Sequence, residues 1–98
     1  MLDDADLSVA VECAINGAFY STGRRCTASS RLIVTDQIHD RFVAALRERS
    51  ASLVVGDAHN SDTQIGPVVG QTQLEQNLSY VEIGKTGRRD AAFRWRSR

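Results

Sequence analysis

Cys26 lies in the stretch "FYSTGRRCTASSRLIV", with Arg24, Arg25 and Arg31 within a few residues of its thiol. The thiolate is the nucleophilic form, and an unperturbed cysteine, with a pKa of about 8.5, is mostly protonated at neutral pH. Nearby guanidinium groups favour ionisation, and turn amides around a nucleophile can donate to the oxyanion formed on an attacked carbonyl. From the residues alone, Cys26 is a candidate catalytic nucleophile, and a buried small hydrophobe is the alternative. Cys13, among Ala10, Ala14 and Ile15, reads as a core or half-buried thiol. Its spacing from Cys26 matches no metal site, so no metal is expected. His39 at a helix start and His59 in a polar loop read as capping and solvent-exposed groups, and neither is an obvious base for Cys26.

The elements that must hold Cys26 follow from the apolar spacing. Leu7, Ala10, Val11, Ala14, Ile15, Ala18 and Phe19 recur every three or four residues behind the capping candidates Asp3 and Asp4, which predicts an amphipathic helix over 5–20. "STG" at 21–23 offers hydroxyls and a glycine free to take a positive φ, which suits a helix stop and a tight turn. Cys26 is therefore expected in a turn. Leu32, Ile33 and Val34 then form a short β-branched run that reads as a strand buried on both faces. Ile38, Phe42, Ala45, Leu46 and Leu53 mark a second helix with Gly56 as its breaker. A polar loop runs from Asp57 to Pro67, and Leu74, Leu78 and Val81 mark a third helix stopped at Gly84. The fold class expected is α/β: helix, turn, buried strand, helix, loop, helix.

At 98 residues the chain is at most one small domain, and a chain of this size buries only about two-thirds of its unfolded surface. Acidic and basic residues balance at twelve each, which gives no global argument for nucleic acid or membrane. No apolar run approaches the roughly 20 residues needed to cross a bilayer, and no leader is visible, so a reduced cytoplasmic setting is expected. Isolated Gly66, Gly70 and Gly84 make no phosphate loop. From Lys85 the text changes to "KTGRRDAAFRWRSR", Arg-rich and without a stripe that would use Phe93 and Trp95. Residues 1–85 are read as one partial domain and 86–98 as an unpatterned tail, expected to arise from a shifted or misassembled frame.

"GAFYSTGRRCTASSRLIV", preceded by "LDDADLSVAVECAIN" and followed by "VGDAHNSDTQIGPVV", closely resembles the catalytic-cysteine region of the NAD(P)-dependent aldehyde dehydrogenases. The resemblance covers about residues 2–85. Within the family it looks most like the ketoglutaric semialdehyde (2,5-dioxovalerate) dehydrogenases, above all at "IGPVVGQTQLEQNLSYVEIGK". It implies that Cys26 is the counterpart of the nucleophile: its thiolate attacks an aldehyde, hydride leaves to the nicotinamide, and water releases the acid from the thioester. The backbone N–H of Cys26 would contribute to the oxyanion hole. Arg24 departs from the family pattern, which places glutamine or glutamate there, and so adds charge and bulk beside the thiol.

The family's dinucleotide-binding domain, its oxyanion-hole asparagine, its general-base glutamate and its later ribose-holding glutamate have no counterpart in this sequence. The resemblance thus implies NAD or NADP as the parent family's cofactor and a small aldehyde as its substrate, with none of the cofactor bound by this chain alone. The chain is expected to be a fragment of the catalytic domain and inactive in isolation. Two further expectations are that it docks on a complementary fragment or a second copy, and that Cys26 retains cofactor-free esterase chemistry.

Overall fold

A computed structural model describes residues 1–87; the Arg-rich tail expected at 86–98 lies almost wholly outside the described residues. Three helices appear: α1 (Leu7–Ala18), α2 (Asp36–Ala51) and α3 (Gln71–Thr86). None of the described helices is long and apolar enough to cross a membrane.

α1 starts at Asp6 and not at Asp3 or Asp4. The Asp6 carboxylate accepts from Ser8 N–H (3.0 Å), Val9 N–H (3.1 Å) and the Ser8 hydroxyl (2.8 Å), filling donors that every helix start leaves open. These bonds, the Ser8 hydroxyl first, hold its carboxyl below the usual range. Asp3 instead accepts from the Thr35 hydroxyl, which leaves Thr35 at the head of α2 with no side-chain bond into that helix.

The expected stripe of α1 is the face that packs. Val11, Ala14 and Ile15 are buried against Phe42 of α2, Leu53 and Ile65, and Ile15 is completely enclosed. The Arg49 guanidinium ties the two helices from outside, donating through Nε to Glu12 Oε1 (2.5 Å) and through Nη1 to Ser52 Oγ (3.0 Å). The Glu12 bond favours the charged form of Arg49. Because the pair is partly solvated, apolar burial outweighs it.

α2 ends at Ala51 with Ser52 as its cap, before the expected breaker Gly56. Leu53 therefore leaves the helical stripe, yet it turns inward and is buried. Gly56 serves a different purpose. Its N–H donates to Ile65 O (3.0 Å) while Ile65 N–H donates to Val54 O (3.1 Å), pairing Val55 with Ile65 in parallel. This contact returns the far end of the 57–67 loop to the core.

The buried strand expected at Leu32–Val34 is not present. Residues 31–35 form neither strand nor helix, and Ile33 is 87% exposed and Leu32 45%. An apolar run becomes a two-faced buried strand only when neighbouring strands and covering helices surround it. Val34 leans on the core, but among the described residues the run's only backbone partner is Met1: Met1 N donates to Ile33 O (2.7 Å) and Thr35 N–H to Met1 O (3.2 Å). That reciprocal pattern is the start of a parallel pairing. No strand forms among the described residues, so the β half of the α/β expectation rests on the isolated Val55–Ile65 bridge and the hydrogen bonds of Met1.

α3 also corrects the expectation, since it runs through Gly84 to Thr86 and is capped at Gly87, whose N–H donates to Ile83 O (3.0 Å). A glycine in an exposed helix interior costs about 1 kcal/mol relative to alanine, too little to force a stop. No residue of α3 is buried.

Candidate active site

Tyr20–Gly23 follows α1 as one tight turn, in which Ser21 (φ 57°, ψ 37°), Thr22 (φ 54°, ψ 25°) and Gly23 (φ 72°) are all left-handed. Glycine takes this region freely, but an L-residue in a left-handed turn costs roughly 1–2 kcal/mol. The positive φ anticipated for Gly23 is found there; those of Ser21 and Thr22 have no signal in their residue types. Local bonds hold the segment: Arg24 N–H donates to Ser21 O (3.0 Å), as does the Thr22 hydroxyl (2.7 Å).

The chain then turns again at 25–28, closed by Ala28 N–H donating to Arg25 O (3.0 Å). Cys26 is the second residue of this turn, as its position after "STG" leads one to expect, and its thiol is free and exposed. In this chain Cys26 is therefore not a buried thiol. Neither the Cys26 nor the Thr27 backbone N–H has an acceptor among the described residues. Two amides beside an exposed sulfur are the kind of donor an oxyanion requires.

Both flanks of the turn are fastened to the end of α1. Arg25 Nη1 donates to Asn16 Oδ1 (2.8 Å), and Ser29 N–H donates to Gly17 O (2.9 Å). Gly17 permits the approach, because a Cβ there would lie 2.9 Å from Ser29 Oγ. Sequence reasoning missed Asn16 and Gly17, which look like ordinary polar-face residues of a helix.

The other candidates lie elsewhere in the hydrogen-bond pattern. Cys13 is exposed on α1, contrary to the core or half-buried reading, because its helical position falls beside the packed face. It lines an open hollow of about 440 Å³ between α1, residues 29–34 and Phe42, whose wall does not include Cys26. His39 Nδ1 lies 2.9 Å from Asp40 Oδ1, and His59 Nδ1 lies 2.9 Å from Asp57 Oδ1. The His59 backbone N–H, ahead of its ring, holds the Asp57 carboxyl below its usual range. No side chain hydrogen-bonds the Cys26 thiol among the described residues, and none of them form a cluster able to hold a metal.

The model of the aldehyde dehydrogenase family matches residues 1–92. The chain belongs to the aldehyde dehydrogenase family. Among curated relatives, the alpha-ketoglutaric semialdehyde dehydrogenase of Bacillus subtilis is 47% identical over 83 residues, 85% of this chain and 17% of that protein. A betaine aldehyde dehydrogenase of Sinorhizobium fredii is 45% identical over 85 residues, 87% of this chain and 18% of that protein. The NAD+ complex of aldehyde dehydrogenase from Bacillus cereus superposes with a TM-score of 0.89 at 33% identity, covering 95% of this chain and 19% of that one. The chain thus spans less than a fifth of these relatives.

A nicotinamide dinucleotide is the parent family's cofactor. Its pyrophosphate needs a glycine-rich strand-to-helix turn with open helix-start amides. Here the Asp6 carboxylate fills the start of α1, Asp36 places negative charge in the first turn of α2, and the start of α3 at Gly70 is open, but among the described residues no strand leads into a helix. No hydride step is derived from these residues.

Proposed function

We propose that Cys26 is the nucleophile of an NAD(P)-dependent aldehyde oxidation whose substrate is a ketoglutaric semialdehyde. The observation that carries the reading is an exposed thiol beside two amides without acceptors among the described residues, on a turn fastened to the helix that supplies the core, in a chain of this family. The thiolate adds to the carbonyl carbon, a C–S bond forms, and the carbonyl π pair moves to oxygen. The N–H groups of Cys26 and Thr27 donate to that oxygen. The 47% identity to an alpha-ketoglutaric semialdehyde dehydrogenase supports the substrate class.

The isolated 98-residue chain does not oxidise aldehydes, because hydride transfer needs a nicotinamide held against the adduct. Incubation with NAD or NADP and the semialdehyde yields no reduced nicotinamide; a robust yield overturns this. Cys26 still acylates with activated esters. Cys26→Ala abolishes that reaction and Cys13→Ala preserves it, whereas the reverse result removes Cys26 as nucleophile. The two free cysteines support a reducing, cytoplasmic setting. A broken frame near Lys85 is tested by resequencing the locus, and recovery of the tail peptide from an intact frame refutes it.

A second reading is an interaction piece that docks on a complementary part of the catalytic domain. Its support is the apolar surface left open, with Ile33 87% and Val69 96% exposed. Co-expression with the complementary segment makes the chain soluble and co-purifying; failure of both refutes this reading.

A further inference from the structure

We infer that Arg25 is a positioning residue, which clasps the end of α1 so that the turn amides beside Cys26 keep the direction an oxyanion needs. The inference rests on Cys26 being the nucleophile. Asn16 and Gly17 are consecutive on the last turn of α1, and each anchors one flank of the Cys26 turn: Asn16 Oδ1 takes Arg25 Nη1 at 2.8 Å, and Gly17 O takes Ser29 N–H at 2.9 Å. The residue before them, Ile15, is the most enclosed side chain among the described residues. Rigidity therefore passes from the core along one helical turn to both ends of a four-residue loop.

The upstream flank depends on Arg25 more than the downstream flank depends on Ser29, because Ser21–Gly23 is left-handed and would relax if released. Arg25 spans this gap. Its Nη1 holds Asn16 while its Nε approaches Ser21 Oγ at 3.5 Å, the limit of a hydrogen bond. A planar fork can address both groups at once, whereas the point charge of lysine cannot. Arg24, although it occupies the position where the family pattern is broken, makes among the described residues only a backbone bond to Ser21 O (3.0 Å).

The test compares two reactions of the full chain, each mapped to Cys26 with Cys13 as internal reference. In acylation by p-nitrophenyl acetate the sulfur bonds the acetyl carbon, the ester C–O bond breaks, nitrophenolate leaves with the electron pair, and the thiol proton passes to solvent. This reaction passes through an oxyanion. Alkylation by iodoacetamide, in which sulfur displaces iodide from carbon, does not.

Asn16→Ala and Arg25→Lys are expected to slow acylation of Cys26 about fivefold, a partial loss of oxyanion donation, and to leave its alkylation within about twofold. Asn16→Asp, whose carboxylate can accept the same Arg25 bond, keeps the acylation rate. Unchanged acylation in Asn16→Ala overturns the inference, and so does a parallel fall of both reactions, which would report lost structure or access. If the unaltered chain acylates Cys26 no faster than Cys13, the nucleophile reading fails and takes the inference with it. Circular dichroism confirms that each variant keeps its helices, and loss of the acylation effect in the variants that remain folded overturns the inference.

Discussion

α1 and α3 carry apolar residues at the same helical spacing, but only α1 uses them. Val11, Ala14 and Ile15 of α1 are buried against α2 and the 53–65 return, while Leu74, Leu78 and Val81 of α3 remain 40%, 48% and 43% exposed. A stripe records which face a helix can bury and does not create the surface that buries it. The Cys26 turn gains from being attached to α1. Its flanks hang from Asn16 and Gly17, directly beyond the enclosed Ile15, so its order is borrowed from the core; a turn hung from α3 would have nothing to borrow.

The sharpest way to break this contrast is to remove the partner that α1 buries against. Phe42→Ala leaves a cavity where α2 meets Ile15, and truncations of this kind cost about 3–5 kcal/mol. We expect the urea-induced unfolding of the chain, followed by circular dichroism, to lose its cooperative transition. A midpoint shift worth less than about 1 kcal/mol would mean that the α1–α2 core contributes little. The next largest effect falls on the left-handed run. Gly23→Ala places a Cβ at φ +72° and 3.0 Å from Ala18 O, which costs roughly 1–2 kcal/mol. A thermal melt should show the loss together with slower acylation of Cys26; an unchanged melt would mean that the turn readily adopts another conformation.

How much of this was legible in the sequence follows the same division. The stripe of α1 and the turn that places Cys26 were readable, because helical periodicity and a glycine after hydroxyl residues are local signals. The left-handed Ser21 and Thr22 were not, since their residue types disfavour that region and the segment is held by contacts such as Arg25 with Asn16, nine residues apart. Leu32–Val34 was misread for the opposite reason. Three apolar residues in succession announce a demand for neighbours; among the described residues Val34 alone of the three leans on the core, and Met1 is the run's only backbone partner. The start of α1 was displaced because Asp3, Asp4 and Asp6 are equally good caps by type; the Thr35 hydroxyl takes Asp3 and leaves Asp6 to the helix.

That capping choice gives a smaller and pH-dependent effect. The folded-state pKa of Asp6 is lowered, chiefly by the Ser8 hydroxyl and then by Val9 N–H. The ionised cap therefore stabilises the fold above the unfolded value of 3.8 and the contribution disappears as pH falls through the lower folded value. Asp6→Ala should lower the melting temperature at neutral pH by less than Gly23→Ala does. The two melting curves should converge as the solution is acidified below that window. A difference that persists in strong acid would show that the side chain acts through packing and not as an ionised cap.

The smallest effect is expected on α3, and it is the one that probes the contrast most directly. Leu78→Ser removes an apolar side chain from the middle of the stripe. Because Leu78 is 48% exposed and no residue of α3 is buried, the change in unfolding free energy should stay within about 0.5 kcal/mol. The same substitution removes part of an open apolar face, so solubility of the chain should rise. A loss comparable to that of Phe42→Ala would show that α3 buries its stripe in solution, against a second copy if the loss depends on concentration. α3 would then differ from α1 in where its partner comes from and not in whether it has one.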